Sequence, residues 1–392
     1  HKEYRRQRQM CIRDRATNTS PTRVISGQAT LLNDFEPRSL TVDLNGNVYV
    51  GMTKVADSTS RLVSYAANAS GDVAPVVLET QVRVPNPIGL TVRRSYIGPN
   101  RLPTDYLYVV TSSEQGKVFR REVNGVANLI TMTASPTSVL SRPSSVAIAA
   151  DGTWYVANSD PTTKGSGSDV YVNNRIYTFV SAGSANQTQA PSQVYSNTNG
   201  GLRSIMDFVL SGTSTYVADW YKAQVRVFTP LAMGASASRV ITPTDGFLSP
   251  AGIAVDSHGY IYVADKFANK VDVFSPDADG VSTPAMVLET GVSAPVDVAI
   301  GPNDAVYVLN DPAAARSISV FDALTFPAPS TPASPTSDSP LTPVSPSTGT
   351  GGGSAAGPSN EVAPAVVGTS EVGATVTGAV GEWSESVATK YQ

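Results

Sequence analysis

Few residues in this sequence have the side chains that enzymes use for nucleophilic, acid–base or metal chemistry. Outside the first fifteen residues the chain has one histidine, His258, and its only cysteine, Cys11, lies within them. A single imidazole cannot form a catalytic dyad or a His-based metal site, and a chain body without cysteine has no thiolate nucleophile or disulfide. Gly-x-Ser-x-Gly, P-loop and paired His/Glu motifs do not occur in the sequence. These absences favour recognition over catalysis.

Aromatic side chains next to cations are the residues here that suit recognition. Two such clusters occur, at 220–222 and 266–267. An aromatic ring beside a cation is a frequent combination at contact surfaces. The predicted binding residues for a protein or glycan ligand are Trp220, Tyr221, Lys266, Phe267 and Arg203. The alternative is that Trp220 and Phe267 pack against neighbouring elements.

These residues lie in a segment that repeats itself. The clearest copy reads PAGIAVD at 250–256, YIYVAD at 260–265, KVDVF at 270–274 and AMVLET at 285–290. Each piece alternates apolar with small or polar residues at period two, the pattern of a half-buried strand. Gly, Asn, Asp and Pro mark the joins between the pieces. One repeat therefore consists of four short strands, named a to d in chain order.

A tyrosine followed by valine marks strand b at intervals of 59, 47, 61, 46 and 45 residues: Tyr49, Tyr108, Tyr155, Tyr216, Tyr262 and Tyr307. Four-stranded repeats of this length are typical of propeller blades, because a single blade cannot bury both of its faces. The sixth repeat lacks strand d, and TRVIS at 22–26 is similar to SRVIT at 238–242, strand d of the fourth repeat. We predict an all-β, six-bladed β-propeller over residues 21–325, closed by its N-terminal strand.

The pattern P-x-G-I-A-V-D-x-x-G-x-I-Y-V-A-D, followed by N-K-V-x-V-F, resembles the NHL repeat, which builds six-bladed β-propellers. The likeness is strongest in the fifth repeat and weakest in the second. It implies a broad family of protein- and RNA-binding scaffolds, extracellular sensor parts and a few metal-dependent lyases and hydrolases. Calcium-dependent lactonases of this shape place acids in the central channel, and Asp207 and Asp297 in strands a are the matching candidates. No complete ligand set is visible, so the expected cofactor is none, with calcium as the alternative.

Short polar side chains end strand b in four repeats: Asn158, Asp219, Asp265 and Asn310. We predict that they bind backbone N–H groups of the b–c turn, with a calcium site as the alternative. Asp277 and Asp279 resemble part of a calcium loop but lack the remaining oxygen ligands. His258 lies between Asp256 and Gly259 in a tight a–b turn, and we interpret it as a turn residue.

The charge of the chain is distributed unevenly. Residues 1–15, HKEYRRQRQMCIRDR, are strongly basic and resemble in part a translated sequencing adapter, so we interpret them as an artefact outside the fold. Without the six Lys/Arg and two acidic residues of that segment, 22 basic and 30 acidic residues remain, a net charge of −8. That balance argues against nucleic acid as a partner. No apolar window of about 18 residues occurs, so no membrane span is expected.

The composition changes after residue 325. Eight prolines fall between Pro327 and Pro358, and we predict an extended linker over 326–361. Residues 362–392 resemble the first half of an immunoglobulin-like repeat of bacterial surface proteins, with VGATVT at 372–377 and GEW at 381–383. Half a sandwich cannot bury its apolar face, so we expect this segment to be disordered or poorly packed. We expect the chain, cut at both ends, to be a fragment of a longer gene. The resemblance implies an exported or cell-surface bacterial protein.

Three functions follow from these observations, in order of preference. The first is a non-catalytic binding or scaffold propeller, monomeric, with a protein or glycan ligand on the face of the b–c and d–a loops. The second is a calcium-dependent hydrolase or lyase that acts in the central channel. The third is a structural spacer without a saturable ligand.

Overall fold

The structure is a computed structural model, and it describes residues 19–54, 56–80, 83–95, 103–112, 117–123, 129–159, 174–180, 186–195, 202–232, 234–326, 365–367 and 377–379. The predicted artefact at 1–15 lies outside these residues. So do nearly all of the predicted linker at 326–361 and the long b–c loop of the third repeat at 160–173. Only six residues of the segment 362–392 are described.

The first strand, β1 (Arg23–Ile25), is followed by three blades of four antiparallel strands. Blade 1 contains β2 (Glu36–Val42), β3 (Val48–Lys54), β4 (Thr59–Tyr65) and β5 (Val76–Thr80). Blade 2 contains β6 (Pro87–Ser95), β7 (Thr104–Thr111), β8 (Lys117–Glu122) and β9 (Leu129–Ala134). Blade 3 contains β10 (Pro143–Ile148), β11 (Trp154–Asn158), β12 (Arg175–Phe179) and β14 (Gln193–Tyr195), with β13 (Gln187–Gln189) between its last two strands.

Three further blades follow in the same pattern. Blade 4 contains β15 (Ile205–Ser211), β16 (Ser214–Asp219), β17 (Gln224–Phe228) and β18 (Arg239–Pro243). Blade 5 contains β19 (Pro250–Val255), β20 (Ile261–Asp265), β21 (Lys270–Phe274) and β23 (Met286–Leu288), with β22 (Gly280–Ser282) before β23. Blade 6 contains β24 (Pro295–Ile300), β25 (Val306–Asn310) and β26 (Ser317–Phe321). Short 3-10 helices occur at Thr137–Leu140 and Pro302–Asp304, and no described helix is long and apolar enough to cross a membrane.

The ring closes as the sequence predicted. Strand β1 pairs antiparallel with β26 as the fourth strand of blade 6, in the register Val24 to Ser319 and Ile25 to Ile318. The Thr22 amide donates to the Val320 carbonyl at 2.8 Å, and the Ile25 side chain is fully buried. Strand a of each blade contacts strand a of the next, including β24 with β2. The six-bladed β-propeller is therefore confirmed.

The recurring tyrosine of strand b is explained by its place between blades. Six apolar clusters fill the six interfaces, one for each pair of neighbouring blades. The strand-b tyrosine of each blade packs into the cluster that its blade shares with the next one. In two blades the hydroxyl also bonds the aspartate that begins the a–b turn. Tyr49 donates to Asp43 Oδ2 at 2.9 Å, and Tyr262 donates to Asp256 Oδ2 at 3.0 Å. The tyrosine therefore recurs in every repeat because it packs two neighbouring blades together.

Some outer blade edges carry an additional parallel strand that the sequence analysis did not predict. Strand β13, from blade 3, pairs with β9 of blade 2, and β22, from blade 5, pairs with β18 of blade 4. A single bridge between Gly71 and Ile25 joins blade 1 to blade 6 in the same way. In all three cases the c–d segment of an odd-numbered blade covers the outer edge of the preceding even-numbered blade. Pairing satisfies backbone groups that an open edge would expose.

A second unit, Ser330–Gln392, is separate from the unit His1–Pro329 that holds the propeller. Its described strands are β27 (Ala365–Val367) and β28 (Thr377–Ala379), which pair antiparallel. Two short strands alone form only a marginal sheet. The immunoglobulin-like assignment of residues 362–392 stays a prediction.

Candidate functional site

One face of the propeller carries the start of every strand a and the end of every strand b. In blade 5, for example, Pro250 pairs with Asp265, so the d–a segment and the b–c turn lie side by side. We call this surface the loop face; the a–b turns lie on the opposite face. All five binding residues that the sequence predicted lie on the loop face of blades 4 and 5: Trp220 and Tyr221 in the β16–β17 turn, Lys266 and Phe267 in the β20–β21 turn, and Arg203 before β15.

The aromatic residues of this group are partly exposed, and Trp220 also contacts the neighbouring blade. Trp220 is 43% exposed, Tyr221 51% and Phe267 63%. The Trp220 indole is fixed by one hydrogen bond, in which Nε1 donates to Ser249 Oγ at 2.9 Å. The three rings are therefore accessible for contact on the loop face, and the position of the Trp220 ring is fixed by its hydrogen bond.

Two further exposed apolar residues extend this surface, and the sequence analysis missed both. Met206 is 42% exposed at the start of strand a in blade 4, and Leu248 is 63% exposed in the segment before β19. Phe247, the neighbour of Leu248, is buried. The alternation of buried and exposed residues in this segment could therefore have predicted that Leu248 is exposed. We name the group the apolar patch: Met206, Trp220, Tyr221, Leu248 and Phe267. Half of the ten large hydrophobic residues that are exposed among the described residues belong to it.

Three cations lie next to residues of the apolar patch: Arg203, Lys222 and Lys266. The Arg203 guanidinium lies over the Tyr221 ring, 5.5 Å from its centroid, which is a cation–π distance. Lys266 Nζ lies 3.3 Å from Asp311 Oδ2, but Asp311 makes a closer contact of 2.6 Å with Arg316 Nε. The cluster of Lys266, Arg316 and Asp311 therefore keeps one net positive charge. Lys222 forms no ion pair with any described residue.

Buried acids at the end of strand b hold the segments that carry the patch. Asp265, fully buried, accepts the Leu248 amide at Oδ2 (2.8 Å) and the Ser249 amide at Oδ1 (2.7 Å). Asp219 does the same in blade 4, where it accepts the Arg203 and Ser204 amides at 3.0 and 3.1 Å. Burial raises the pKa of Asp219, and these amide hydrogen bonds oppose that rise.

These acceptors have the structural role that the sequence suggested, but their main partners are different. The sequence analysis assigned them to the b–c turn, whereas most of the bonded amides belong to the d–a segment. Asn158 accepts the Arg142 amide at 2.8 Å and Asn310 accepts the Ser293 amide at 3.0 Å. Asp219 also reaches the b–c turn of its own blade, through the Lys222 amide at 3.3 Å. The reason is geometric, because strand a begins beside the end of strand b.

The two channel candidates, Asp207 and Asp297, occupy equivalent positions after a β-bulge in strand a. All six blades have this bulge, and the residue that follows it differs from blade to blade: Ser39, Gly89, Ser145, Asp207, Gly252 and Asp297. Blade 5, between the two acids, has glycine here, and a Cβ on Gly252 would lie 2.7 Å from Asp297 Oδ1. The glycine is required by the close approach of blade 6, since the same Cβ would lie 2.6 Å from the Asp297 Cα.

Each of the two carboxyls joins neighbouring blades. Asp207 accepts the Ser145 hydroxyl of blade 3 at 2.6 Å, and its other oxygen accepts the Ile253 amide of blade 5 at 2.9 Å. Asp297 accepts the Leu40 amide of blade 1 at 2.8 Å. Burial raises the pKa of Asp207. Burial and then the charge of Asp207 raise the pKa of Asp297 well above that of an ordinary carboxyl.

This arrangement does not fit calcium. The ion takes six to eight oxygen ligands, whereas two carboxyls converge here and every one of their four oxygens already accepts a hydrogen bond. A raised pKa also disfavours the ionised form that a cation would attract. Among the described residues no group of three or more His, Cys, Asp or Glu side chains is placed to hold a metal ion. The two aspartates act as links between blades.

The mouth of the channel opens on the loop face as a cavity of about 270 Å³. Asp207 and Asp297 lie on its floor, and Met206, Ala251 and Val296 form part of its apolar wall. Met206 also belongs to the apolar patch, so the patch and the mouth are continuous.

His258 lies on the opposite face, in the turn between β19 and β20. Its amide donates to Asp256 Oδ1 at 2.9 Å, and its Nδ1 lies 3.2 Å from Asp304 Oδ2 and 3.3 Å from Ser257 Oγ. The same nitrogen faces both groups, and the Ser257 hydroxyl donates directly to Asp304 at 2.6 Å. A Ser–His–Asp relay needs one partner on each ring nitrogen. This cluster therefore cannot act as a catalytic triad.

Asp279, in the segment that resembles a calcium loop, has a structural role instead. Its Oδ1 accepts the amides of Val240 at 3.0 Å and of Gly280 at 2.9 Å. These contacts fix the start of β22 on the edge of blade 4.

The fold and this surface define the chain as a six-bladed β-propeller with an exposed apolar patch on its loop face. No protein-family model matches the chain, and no curated protein matches it. The NHL assignment therefore stays a resemblance.

Solved structures resemble the chain at the level of the fold. A catalytically inactive virginiamycin B lyase from Staphylococcus aureus with quinupristin is 13% identical, covers 76% of this chain and 88% of its own, and has a TM-score of 0.45. A luciferin-regenerating enzyme is 12% identical over 74% and 94% of the two chains, with a TM-score of 0.48. The WD40 propeller domain of Doa1 is 11% identical over 72% and 78%, with a TM-score of 0.44. Nothing about activity follows from these values.

Proposed function

We propose that the protein is a non-catalytic binding propeller that holds a ligand on the loop face of blades 4 and 5. The observation that carries this proposal is the apolar patch. Five of the ten large hydrophobic residues that are exposed among the described residues lie on this face of two neighbouring blades, and clustered exposed apolar side chains commonly mark an interaction site. The Trp220 ring is held by Ser249 and the Leu248 backbone by Asp265, so binding would need little ordering of these two residues.

The experiment compares ligand capture by the full chain and by a double variant, Tyr221→Ala with Phe267→Ala. A displayed peptide library and a glycan array serve as probes. We expect saturable binders whose affinity falls at least about tenfold in the double variant, since exposed aromatic anchors carry most of the energy of such contacts. The control is Leu44→Ala, which removes a side chain that is 64% exposed on the opposite face. Absence of any saturable binder, or equal binding by the double variant, would contradict the proposal.

We also propose that the propeller belongs to an exported or cell-surface bacterial protein and is monomeric. The support for export is the composition of residues 326–361 and the likeness of residues 362–392 to bacterial surface repeats. In this proposal the linker holds an NHL-type propeller away from the envelope or from further repeats. Digestion of intact producing cells with an added protease is the test. Loss of the chain from intact cells agrees with surface exposure, and full protection contradicts it.

A further inference from the structure

We infer that the ligand of the apolar patch is a peptide segment rich in acidic and large apolar residues. This inference rests on the proposed binding function and narrows it from a protein or glycan to one chemical class. It draws on the side-chain types in the patch, on the charges at its border and on the charge of the rest of the chain.

The side chains of the patch favour a peptide over a sugar. Sugar sites combine a ring with polar groups that hydrogen-bond hydroxyls, whereas Met206 and Leu248 add aliphatic surface. The polar atom of Trp220, Nε1, is already bonded to Ser249 Oγ. Leu248 and Phe267 are each 63% exposed, so apolar side chains of a partner can bury them directly.

The border of the patch carries more positive than negative charge among the residues that the structure describes. Lys222 follows Tyr221 and has no ion-pair partner among the described residues. Lys266, beside Phe267, shares Asp311 with Arg316. Residues 16–392 carry a net charge of −8, so the positive charge at this border is opposite in sign to the net charge of the rest of the chain. Carboxylates of a partner would be attracted to Lys222 and Lys266 within the screening length of about 8 Å in physiological salt.

The test uses a library of random twelve-residue peptides selected on the full chain. We expect enrichment of Asp and Glu together with Leu, Phe or Trp. The probe for measurement is then the most enriched peptide, labelled with fluorescein, beside a counterpart in which every Asp and Glu is replaced by Lys. Fluorescence anisotropy should give a dissociation constant at least about tenfold lower for the acidic peptide at low salt.

Variants of Lys222 separate the charge from the apolar contact. We expect Lys222→Glu to weaken the acidic peptide about tenfold and Lys222→Arg to bind it as the unchanged protein does. The weakening should shrink as salt rises, because rim charges act mainly through a screened field. Thermal unfolding of each variant should match the unchanged protein, which shows that the fold is intact.

The outcomes distinguish this inference from the proposed function. If peptides bind and the double variant loses them, while acidic and Lys-substituted peptides bind equally, the charge class is wrong and the proposed function stands. If acidic peptides bind equally well to the double variant, the site itself is wrong. Tighter binding of a twelve-residue oligouridine than of any peptide would also overturn the inference, because it would identify nucleic acid as the ligand class.

Discussion

Replacement of Asp265 by alanine should loosen the segment that carries Leu248 and destabilise blade 5. The side chain is fully buried, and each of its oxygens accepts one backbone amide, from Leu248 at 2.8 Å and from Ser249 at 2.7 Å. Alanine would leave both amides without an acceptor. The effect follows directly from the number of hydrogen bonds lost.

The expected loss is about 4 kcal/mol, since a hydrogen bond to a charged group contributes roughly 1.5–3 kcal/mol and two are removed. Part of that sum is recovered because a buried carboxylate no longer has to be desolvated. The loss is a large share of the roughly 5–15 kcal/mol that stabilises a native protein. At about 2 °C per kcal/mol for a domain of this size, the midpoint of thermal unfolding should fall by about 8 °C.

The chain itself supplies the matched control. Blades 3 and 6 have asparagine at the position of Asp265, and Asn158 and Asn310 each accept one amide through Oδ1. Asp265→Asn should therefore keep one of the two hydrogen bonds and cost about 2 kcal/mol. Urea unfolding followed by tryptophan fluorescence, with far-UV circular dichroism as a second probe, measures both variants. A loss below about 1 kcal/mol for alanine, or equal losses for alanine and asparagine, would refute the reasoning.

Three further predictions concern buried polar groups and metal. Thr53→Val and Thr111→Val should leave urea stability unchanged or raise it by about 0.5 kcal/mol, since both hydroxyls are buried with no hydrogen-bond partner in the described part of the chain; a clear loss in either variant would contradict this. Burial raises the pKa of Asp272 in the folded protein to about 6, whereas the pKa in the unfolded chain is near 4. The stability that comes from protonating Asp272 in the folded state is therefore complete below pH 4 and is lost as pH rises through 6. Asp272→Asn should flatten the decline in stability between pH 4 and 7, and a variant with the same pH profile as the unchanged protein would count against this. EDTA followed by calcium should leave the thermal midpoint unchanged, and a reproducible rise with calcium would restore the channel carboxyls as ligands.

The propeller could be predicted from the sequence because each repeat contains the alternating pattern of its strands and the side chains that pack neighbouring blades together. The tyrosine of strand b fixes the register, and the structure places each copy between its own blade and the next. The closing strand was predictable because TRVIS at 22–26 is similar to a strand d elsewhere in the chain. These features are local patterns that recur, so one sequence is enough to find them.

Other features depend on distances between blades that no local pattern records. Strands β13 and β22 have three residues each, and their parallel partners belong to the preceding blade. The links made by Asp207 and Asp297 require both the bulge in strand a and the missing side chain of Gly252. The exposure of Met206 and Leu248 likewise depends on where neighbouring blades end. The five predicted binding residues lie on one face, because the b–c turns and the segments before strand a meet there.

The closure of the ring by β1 has a consequence for biosynthesis. The hydrogen bond between Thr22 and Val320 spans 298 residues of chain. A ribosome that adds roughly 5–20 residues per second needs about 15–60 s to produce that length. During this interval β1 has no β26 to pair with, while earlier blades can already stack. Closure of the ring is therefore delayed until β26 has been made, and the edge of β1 that pairs with β26 stays open while the blades between them form.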